Sequence, residues 1–351
     1  MKGDILSSVD SAAYGAKSAG VQSVPHFPAP LSVEMARKLS QVHSCRIFNL
    51  ETAGSAFAAA LGSAAVGLRT FVPCSTPVSY EALAAPFMRL PFVACNVSRS
   101  LHGPKPDHSI MFLRDAGYMM FFPETNQEIH DSVVLAYRIG EDSKVMLPSV
   151  INIDGLPSFM EPVQPGTEQA VKTFLPKFNA TRLDVKKPVS FDIYSDNYQE
   201  GRLQLNKAME SAADLVNKVG EKWKQKFHRF HGLVDRYMTE DAETIIVIMG
   251  YHSATAKAAA KRMREQGKKV GVLRVRVFRP WPKAAVESVL QNAKRVLIFD
   301  QSVSVGIGGI LKTHVGRGSS LICLGKYPGE KDFIDAVARV EKSDKDLRLW
   351  L

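Results

Sequence analysis

A few side chains in this sequence stand where chemistry could be done. Glu51 follows the apolar stretch Cys45 to Leu50 and directly precedes a run of small residues from Thr52 to Val66. Read from the residues alone, it is an acid at a helix N-terminus, stabilised there by the helix dipole. Arg99 follows the apolar stretch Pro91 to Val97. An arginine at a strand end can sit on the surface, or its planar fork can bind a carboxylate through two hydrogen bonds. His228 and His231 are spaced for one helix face but lack an obvious third ligand, so surface histidines are expected rather than a metal site. Cys45, Cys74, Cys95 and Cys323 show no CxxC-type spacing. That argues against a disulfide framework, a structural zinc or an iron–sulfur cluster carried by this chain alone. Redox chemistry would need another cofactor or another subunit.

Several nucleotide and hydrolase motifs can be tested and fail. GxxxxGK[ST], HExxH and GxSxG are absent. The glycine cluster Gly306-Ile307-Gly308-Gly309 has Leu311 where a dinucleotide fingerprint needs Gly or Ala, so a turn before a helix is the better reading.

The elements that would position these side chains alternate. Helices are expected over Asp10–Ala19, Leu31–Val42, Thr52–Val66, Ser79–Met88 and Thr125–Arg138, and strands over Val21–Val24, Cys45–Leu50, Arg69–Val72, Pro91–Val97, Tyr118–Phe122 and Val145–Ile153. Pro25, Pro28 and Pro30 predict a loop. From Gly155 to about Asn197 the pattern weakens, and a long amphipathic helix follows from about Arg202 to Phe227. A second alternating unit then begins, with strands at Ile245–Met249, Lys269–Phe278, Arg295–Asp300 and Ser320–Leu324. The fold class is therefore α/β with two parallel-sheet domains. The expected division is residues 1–155, a connecting segment with the long helix over 156–240, and residues 241–351.

The chain has 351 residues, which favours two domains over one. Its 45% hydrophobic and 23% charged residues exclude a disordered or fibrous chain. No apolar run is long enough to span a bilayer, and Met1 to Gly20 has no uninterrupted apolar core, so a cytoplasmic protein without a secretory signal is expected. The net charge of +10 falls entirely beyond residue 150, with 12 basic against 3 acidic side chains in residues 251–300. A solvated helix face accounts for such a run, and an acidic docking partner is the sharper alternative. Nucleic acid is not expected, since no basic stretch is interleaved with aromatics.

In order along nearly the whole chain, a set of segments resembles the alpha subunit of 2-oxoacid:ferredoxin oxidoreductases of the pyruvate synthase type. Asn49-Leu50-Glu51 followed by Gly62-Ser63-Ala64-Ala65-Val66-Gly67-Leu68-Arg69-Thr70 is similar to the family's N-x-E and G-A-S-A-A-G-A-R-T. Arg99, Asp107-His108-Ser109, Arg114-Asp115-Ala116-Gly117-Tyr118, Asn126-Gln127-Glu128 with Asp131, Leu147-Pro148 and Asp154-Gly155 follow in register. In the second unit, Arg279-Pro280-Trp281-Pro282 resembles R-P-F-P, and Asp241-Ala242-Glu243, Asp300 and Gly306 also align.

The resemblance implies a thiamine-diphosphate-fold pyrimidine-binding domain followed by a transketolase C-terminal-like domain. It implies oxidative decarboxylation of a 2-oxoacid, pyruvate first, to an acyl-CoA and CO2, with coenzyme A as co-substrate and electrons passed to ferredoxin. Thiamine diphosphate would be shared with a beta subunit that holds the diphosphate and Mg2+, and iron–sulfur clusters would lie in a ferredoxin-like partner subunit. No metal site is expected in this chain. Glu51 is similar to the glutamate that hydrogen-bonds the pyrimidine N1′, where a buried, proton-sharing carboxyl would promote removal of the cofactor's C2 proton. Arg99 resembles the arginine that holds the substrate carboxylate.

The sequence departs from the family near this pocket. His26-Phe27-Pro28-Ala29-Pro30 stands where Y-P-I-T-P is usual, so Ala29 removes a hydroxyl and adds room for a branched or aromatic oxoacid. Cys74-Ser75-Thr76 replaces T-S-S, the segment between Arg99 and Asp107 is short, and Ser8-Val9-Asp10-Ser11 replaces G-N-E-A. His26, Ser75 and Thr76 are the residues expected to supply the missing polar contact, with Ser75 and Thr76 also assigned to the cofactor. The alternative reading is a structural paralogue that kept the fold as a scaffold subunit.

Overall fold

The computed structural model describes residues 3–75, 79–99, 105–154, 159–178 and 198–351. Two sheets dominate. The first has the strand order Val277–Arg279, Met119–Phe121, Ser149–Asp154, Val93–Ser98, Phe71–Cys74. A bridge from Thr70 to Ser23 carries it on into the parallel pair Ser23–His26 and Arg46–Asn49. The second has the order Arg348–Trp350, Ser319–Ile322, Arg295–Asp300, Thr244–Ile248, Val270–Val275, Val234–Tyr237. The inner strands of both are parallel, and only Val277–Arg279 and Val234–Tyr237 run antiparallel to their neighbours. The α/β reading thus agrees with the structure.

Local sequence explains the helices. Thr52 caps the helix Ala53–Ala65 by accepting from the Ser55 amide, and Ala56, Phe57, Ala60, Leu61 and Ala64 turn inward. Their small side chains let this helix lie close on the Ser23–His26 strand. Thr125 caps Asn126–Gly140 in the same way through the Glu128 amide, and that helix is buried along almost its whole length. The long helix spans Tyr198–Phe227 and buries Leu205, Ala208, Ala212, Val216, Val219 and Trp223, spaced three or four residues apart.

Three cores fill the molecule. One lies between the first sheet and the helices Ser8–Ser18, Asn126–Gly140 and Tyr198–Phe227. Another lies between the second sheet and the helices Ser253–Glu265 and Glu330–Glu341. The third is shared, with Phe57, Val72, Phe92 and Tyr118 of the first unit packed in one cluster with Val247, Leu273, Phe278 and Ile298 of the second. The two sheets are therefore joined by a common apolar core.

Several elements differ from the sequence reading. The strand Ser23–His26 runs through Pro25, where a loop was expected. Its hydrogen bonds to Arg46–Asn49 run through the neighbouring residues, as with Arg46 N to Gln22 O and Leu50 N to His26 O. The expected strand Lys269–Phe278 is two strands in different sheets, because the chain crosses from one sheet to the other at Arg276. Within the weakly patterned segment, Glu161–Val163 pairs antiparallel with Asp4–Leu6, and the helix Glu168–Phe174 inserts Val171 and Phe174 into the first core. Their short apolar runs gave no periodicity to read.

Candidate functional site

Parallel strands bring their C-terminal ends to one edge of a sheet. In the first sheet that edge collects His26, Glu51, Ser75, Arg99 and Asp154 from five different strands or their following residues. The strand ends of Glu51 and Arg99 are three strand spacings apart, roughly 14 Å at ~4.8 Å per spacing.

Glu51 lies just before the Thr52 cap and is exposed. Among the described residues its carboxylate has no hydrogen bond or ion pair. The burial expected of it is not supplied by the described residues, because among them Arg46–Asn49 is the outermost strand on its side and its residues are largely open. Glu51 also precedes the cap rather than occupying the first helical turn. His26 is buried beside Asn49, to which the strand register aligns it. Burial lowers the His26 pKa below the ordinary histidine range, against the opposing pull of the Phe27 backbone and the Asn49 side chain. The ring is thus neutral at pH 7, and its Nδ1 has no partner among the described residues.

Ala29 is half-buried in a turn that Ser32 braces, its Oγ donating to the Ala29 carbonyl at 3.0 Å. Ser75 Oγ donates to the Pro30 carbonyl at 3.3 Å and so ties two loops of the edge together. Thr76 lies outside the described residues. The depression between Phe27, Ala53, Phe57 and Ser75 has an internal volume of only about 10 Å³. Arg99 is half-buried, and its guanidinium has no partner among the described residues. Its backbone is held, with Ser109 Oγ donating to the Arg99 carbonyl at 2.8 Å and Ser98 Oγ donating to the Asp107 carbonyl at 2.5 Å.

The other motif residues meet elsewhere. Glu128 is buried against Arg274, whose Nη1 donates at 2.8 Å, and Arg276, whose Nε donates to Oε1. Burial alone would raise the Glu128 carboxyl, but the two guanidiniums outweigh it and hold the pKa at about 2. Asp131 accepts from Arg229 Nε at 2.7 Å, Trp223 Nε1 at 3.2 Å and Gln127 Nε2 at 2.9 Å, with His231 Nε2 at 2.8 Å and His130 Nδ1 at 2.9 Å. His231 is thus a partner of a buried acid rather than a surface residue. Arg69 grips Glu141 through Nε and Nη2, both at 2.6 Å. Arg279 Nε donates to the Arg114 carbonyl at 3.0 Å, so the R-P-W-P and R-D segments fasten to each other.

The basic excess of residues 251–300 is spent largely inside the chain. Lys257 bridges Glu124 and Asp235 at 2.7 Å each, Arg264 binds Asp241 at 2.7 Å and Lys294 binds Glu243 at 2.8 Å. Arg276, 2% exposed, cannot form part of a docking face for an acidic partner. Sequence reasoning missed the junction of His252, Gln301 and Ser302, whose buried polar atoms have no signature at any fixed spacing.

A first sheet of largely parallel strands and a second parallel sheet sharing its core form the frame of the molecule. Residues 14–221 match the family model described as pyruvate flavodoxin/ferredoxin oxidoreductase, thiamine diphosphate-binding, and residues 242–330 match pyruvate:ferredoxin oxidoreductase core domain II. The chain belongs to this family, as the alpha subunit of a 2-oxoacid:ferredoxin oxidoreductase, an enzyme of several subunits. It is 32% identical to pyruvate synthase subunit PorA of Methanothermobacter thermautotrophicus over 329 residues, covering 89% of this chain and 86% of that one. It is 29% identical to ketoisovalerate oxidoreductase subunit VorA of Pyrococcus horikoshii over 362 residues, covering 98% and 91%. In fold it is similar to 2-oxoglutarate:ferredoxin oxidoreductase of Magnetococcus marinus, with a TM-score of 0.74 at 16% identity, covering 97% of this chain and 65% of that longer one. A split-gene transketolase also matches, with a TM-score of 0.55 at 12% identity and coverage of 95% and 98%. The two-domain α/β reading and the family resemblance drawn from the motifs agree with these findings.

The residues at the edge fit one end of thiamine diphosphate. Among the described residues the Glu51 carboxylate and the buried Nδ1 of His26 have no partner, which suits an aminopyrimidine with donors and acceptors on its rim. For the diphosphate end, no cluster of three His, Cys, Asp or Glu side chains among the described residues is placed to hold a metal ion. No helix among them is long and apolar enough to cross a membrane.

Proposed function

We propose that this chain forms the pyrimidine-binding half of a thiamine diphosphate site and takes part in oxidative decarboxylation of pyruvate to acetyl-CoA, with electrons passing to ferredoxin. The observation that carries the reading is that Glu51 and Arg99, at strand ends on one sheet edge, have no charge partner among the described residues, whereas the motif charges of Arg69, Glu128 and Asp131 are matched within the chain. When bound, the cofactor supplies the nucleophilic carbon and the electron sink that decarboxylation of a 2-oxoacid requires. Glu51 holds a proton at the pyrimidine N1′. The neutral His26 ring offers a hydrogen-bonding nitrogen beside it. Arg99 receives the substrate carboxylate in its fork, and Ser75 keeps the Pro30 turn against the site.

A beta subunit holding the diphosphate and Mg2+ closes the other wall. The exposed Phe27 and Phe48 beside the edge support a partner chain there, since bare aromatics of this size favour a covered surface. Iron–sulfur clusters in a ferredoxin-like subunit carry the electrons onward, coenzyme A accepts the acyl group, and the complex works in the cytoplasm with ferredoxin. The reading treats residues 1–155 as the cofactor-facing domain, 156–240 as the connection and 241–351 as the transketolase C-terminal-like domain. A bulkier branched 2-oxoacid is the second reading, favoured by Ala29 and by the likeness to a ketoisovalerate oxidoreductase subunit.

The test is viologen reduction by the native complex with coenzyme A and a panel of pyruvate, branched, aromatic and dicarboxylic oxoacids. Turnover with pyruvate that falls at least about a hundredfold in Glu51→Gln supports the assignment. A complex loaded with thiamine diphosphate and intact clusters that turns over none of the oxoacids, or a Glu51→Gln complex with full activity, would overturn it.

A further inference from the structure

Arg99 is one residue past its strand, and a guanidinium there can bind a carboxylate selectively only if its backbone is fixed. The Asp107-His108-Ser109 segment supplies that fixation through the Ser109 and Ser98 hydroxyls described above. What holds the segment is a buried acid. His108 Nε2 lies 2.6 Å from Asp154 Oδ1, and both side chains are almost wholly buried. Asn152 Nδ2 donates to the same oxygen at 3.0 Å, and Asn96 Nδ2, on the Arg99 strand, donates to Asn152 Oδ1 at 2.9 Å.

The second unit completes the arrangement. The Tyr251 amide donates to Asp154 Oδ2 at 2.7 Å, and the His108 amide donates to the Gln301 carbonyl at 2.9 Å. Gly250 is required there, because a Cβ at its position would lie 2.1 Å from Asp154 Oδ2. Burial works against the Asp154 carboxylate, yet His108 and His252 beside it and the Tyr251 amide hold it below its ordinary range. It is therefore an ionised acceptor, and it orients His108 as a donor through Nε2.

We propose that Asp154 and His108 are positioning residues for Arg99, and that through them the second unit sets substrate affinity without itself touching the substrate. The proposal rests on the reading of Arg99 as the carboxylate-binding residue. Asp154 is joined at once to the strand that carries Arg99, to the segment that clamps its carbonyl and to the second sheet's strand ends. Loosening His108 frees that clamp while leaving the guanidinium, Glu51 and His26 in place chemically.

The experiment is a double-mutant cycle on the reconstituted complex, measuring kcat and KM for the 2-oxoacid, KM for coenzyme A and thiamine diphosphate retention. Arg99→Ala, His108→Ala, His108→Gln, Ser109→Ala and the double variant Arg99→Ala/His108→Ala are compared. His108→Ala is expected to raise the oxoacid KM about tenfold with kcat changed less than about threefold, as for a loosened two-bond carboxylate contact. His108→Gln, which keeps a donor toward Asp154, is expected to restore most of the affinity, and Ser109→Ala to reproduce a smaller part of the loss. Adding His108→Ala to Arg99→Ala is expected to cost nothing further.

An oxoacid KM unchanged in both His108→Ala and Ser109→Ala, beside a raised KM in Arg99→Ala, overturns the positioning role alone. Additive losses in the double variant also overturn it. Arg99→Ala with an unchanged KM overturns the Arg99 reading and this inference with it. Should His108→Ala fail to assemble, Ser109→Ala and His108→Gln decide between these outcomes.

Discussion

Two acidic regions of the first unit come from similar motifs and end in opposite states. Glu128 and Asp131, from the N-Q-E-x-x-D helix, are buried and fully matched by Arg274, Arg276, Arg229 and their neighbours. Glu51, from the N-x-E strand end, is exposed and matched by nothing among the described residues. Both motifs are among the segments that resemble the family, so family membership does not separate them. Their counter-charges do. A buried acid whose partners lie in its own chain spends its charge on the fold, whereas an exposed acid without a partner among the described residues leaves its charge free, which is what the proposed cofactor role of Glu51 draws on.

The largest expected effect tests the matched side. Glu128→Gln leaves two buried guanidiniums short of an anion and is expected to cost about 3–5 kcal/mol of stability, read as a lowered denaturant midpoint. The matching loss from acid has a definite sign. The folded pKa of about 2 lies below the ordinary value of 4.5, so the stabilisation is complete above the unfolded value and is lost as the pH falls toward 2. Glu51→Gln should do the reverse, with turnover down at least about a hundredfold and a melting temperature within about a degree of the parent. A Glu51→Gln variant that melts markedly lower would break the comparison.

Asp300 sharpens it, because this acid is buried without an ion-pair partner among the described residues. Its carboxylate accepts the Leu311 amide at 2.6 Å and the Lys312 amide at 3.2 Å, and burial still raises its pKa to about 7. Between the ordinary 3.8 and 7 the folded chain holds a proton that the unfolded chain has released. The contribution is therefore complete below about pH 4 and is lost as the pH rises through 7, by at most about 1.4 kcal/mol per unit. Asp300→Asn is expected to flatten that slope in denaturant titrations run at a series of pH values. An unchanged slope would assign the proton to another group.

The smallest effect concerns the basic run. Lys268 is engaged by Glu341 at 2.5 Å and Lys269 lies 3.9 Å from Glu243. Lys268→Glu with Lys269→Glu is expected to change ferredoxin reduction at low salt by less than about twofold. A larger drop would restore a docking role to this face.

What the sequence made legible was local. The strand before Glu51 and the small-residue helix after it follow from neighbouring residues, and so does the long helix ending at Phe227. The motifs placed Glu51, His26, Ser75 and Arg99 at chain segments that parallel strands then gathered on one edge. The environments of those residues depend on distant pairing and were not legible. Nothing near Arg276 distinguishes it from the surface cations of its segment, since its burial follows from a crossing between sheets and from Glu128 far away in sequence. The exposure of Glu51 follows from the absence of any strand beyond Arg46–Asn49 on its side among the described residues, which no pattern within those residues encodes.

The crossing at Arg276 has a consequence for how the molecule is made. Val277–Arg279 closes the far end of a sheet whose other strands were synthesised more than a hundred residues earlier. On the ribosome, the first sheet must wait with its Met119–Phe121 side open until residue 279 has left the exit tunnel. The first sheet is thus finished only after its own strands and three strands of the second sheet have emerged, and a gene split between the two sheets would leave the amino-terminal product with an uncapped strand prone to sticking to its own copies.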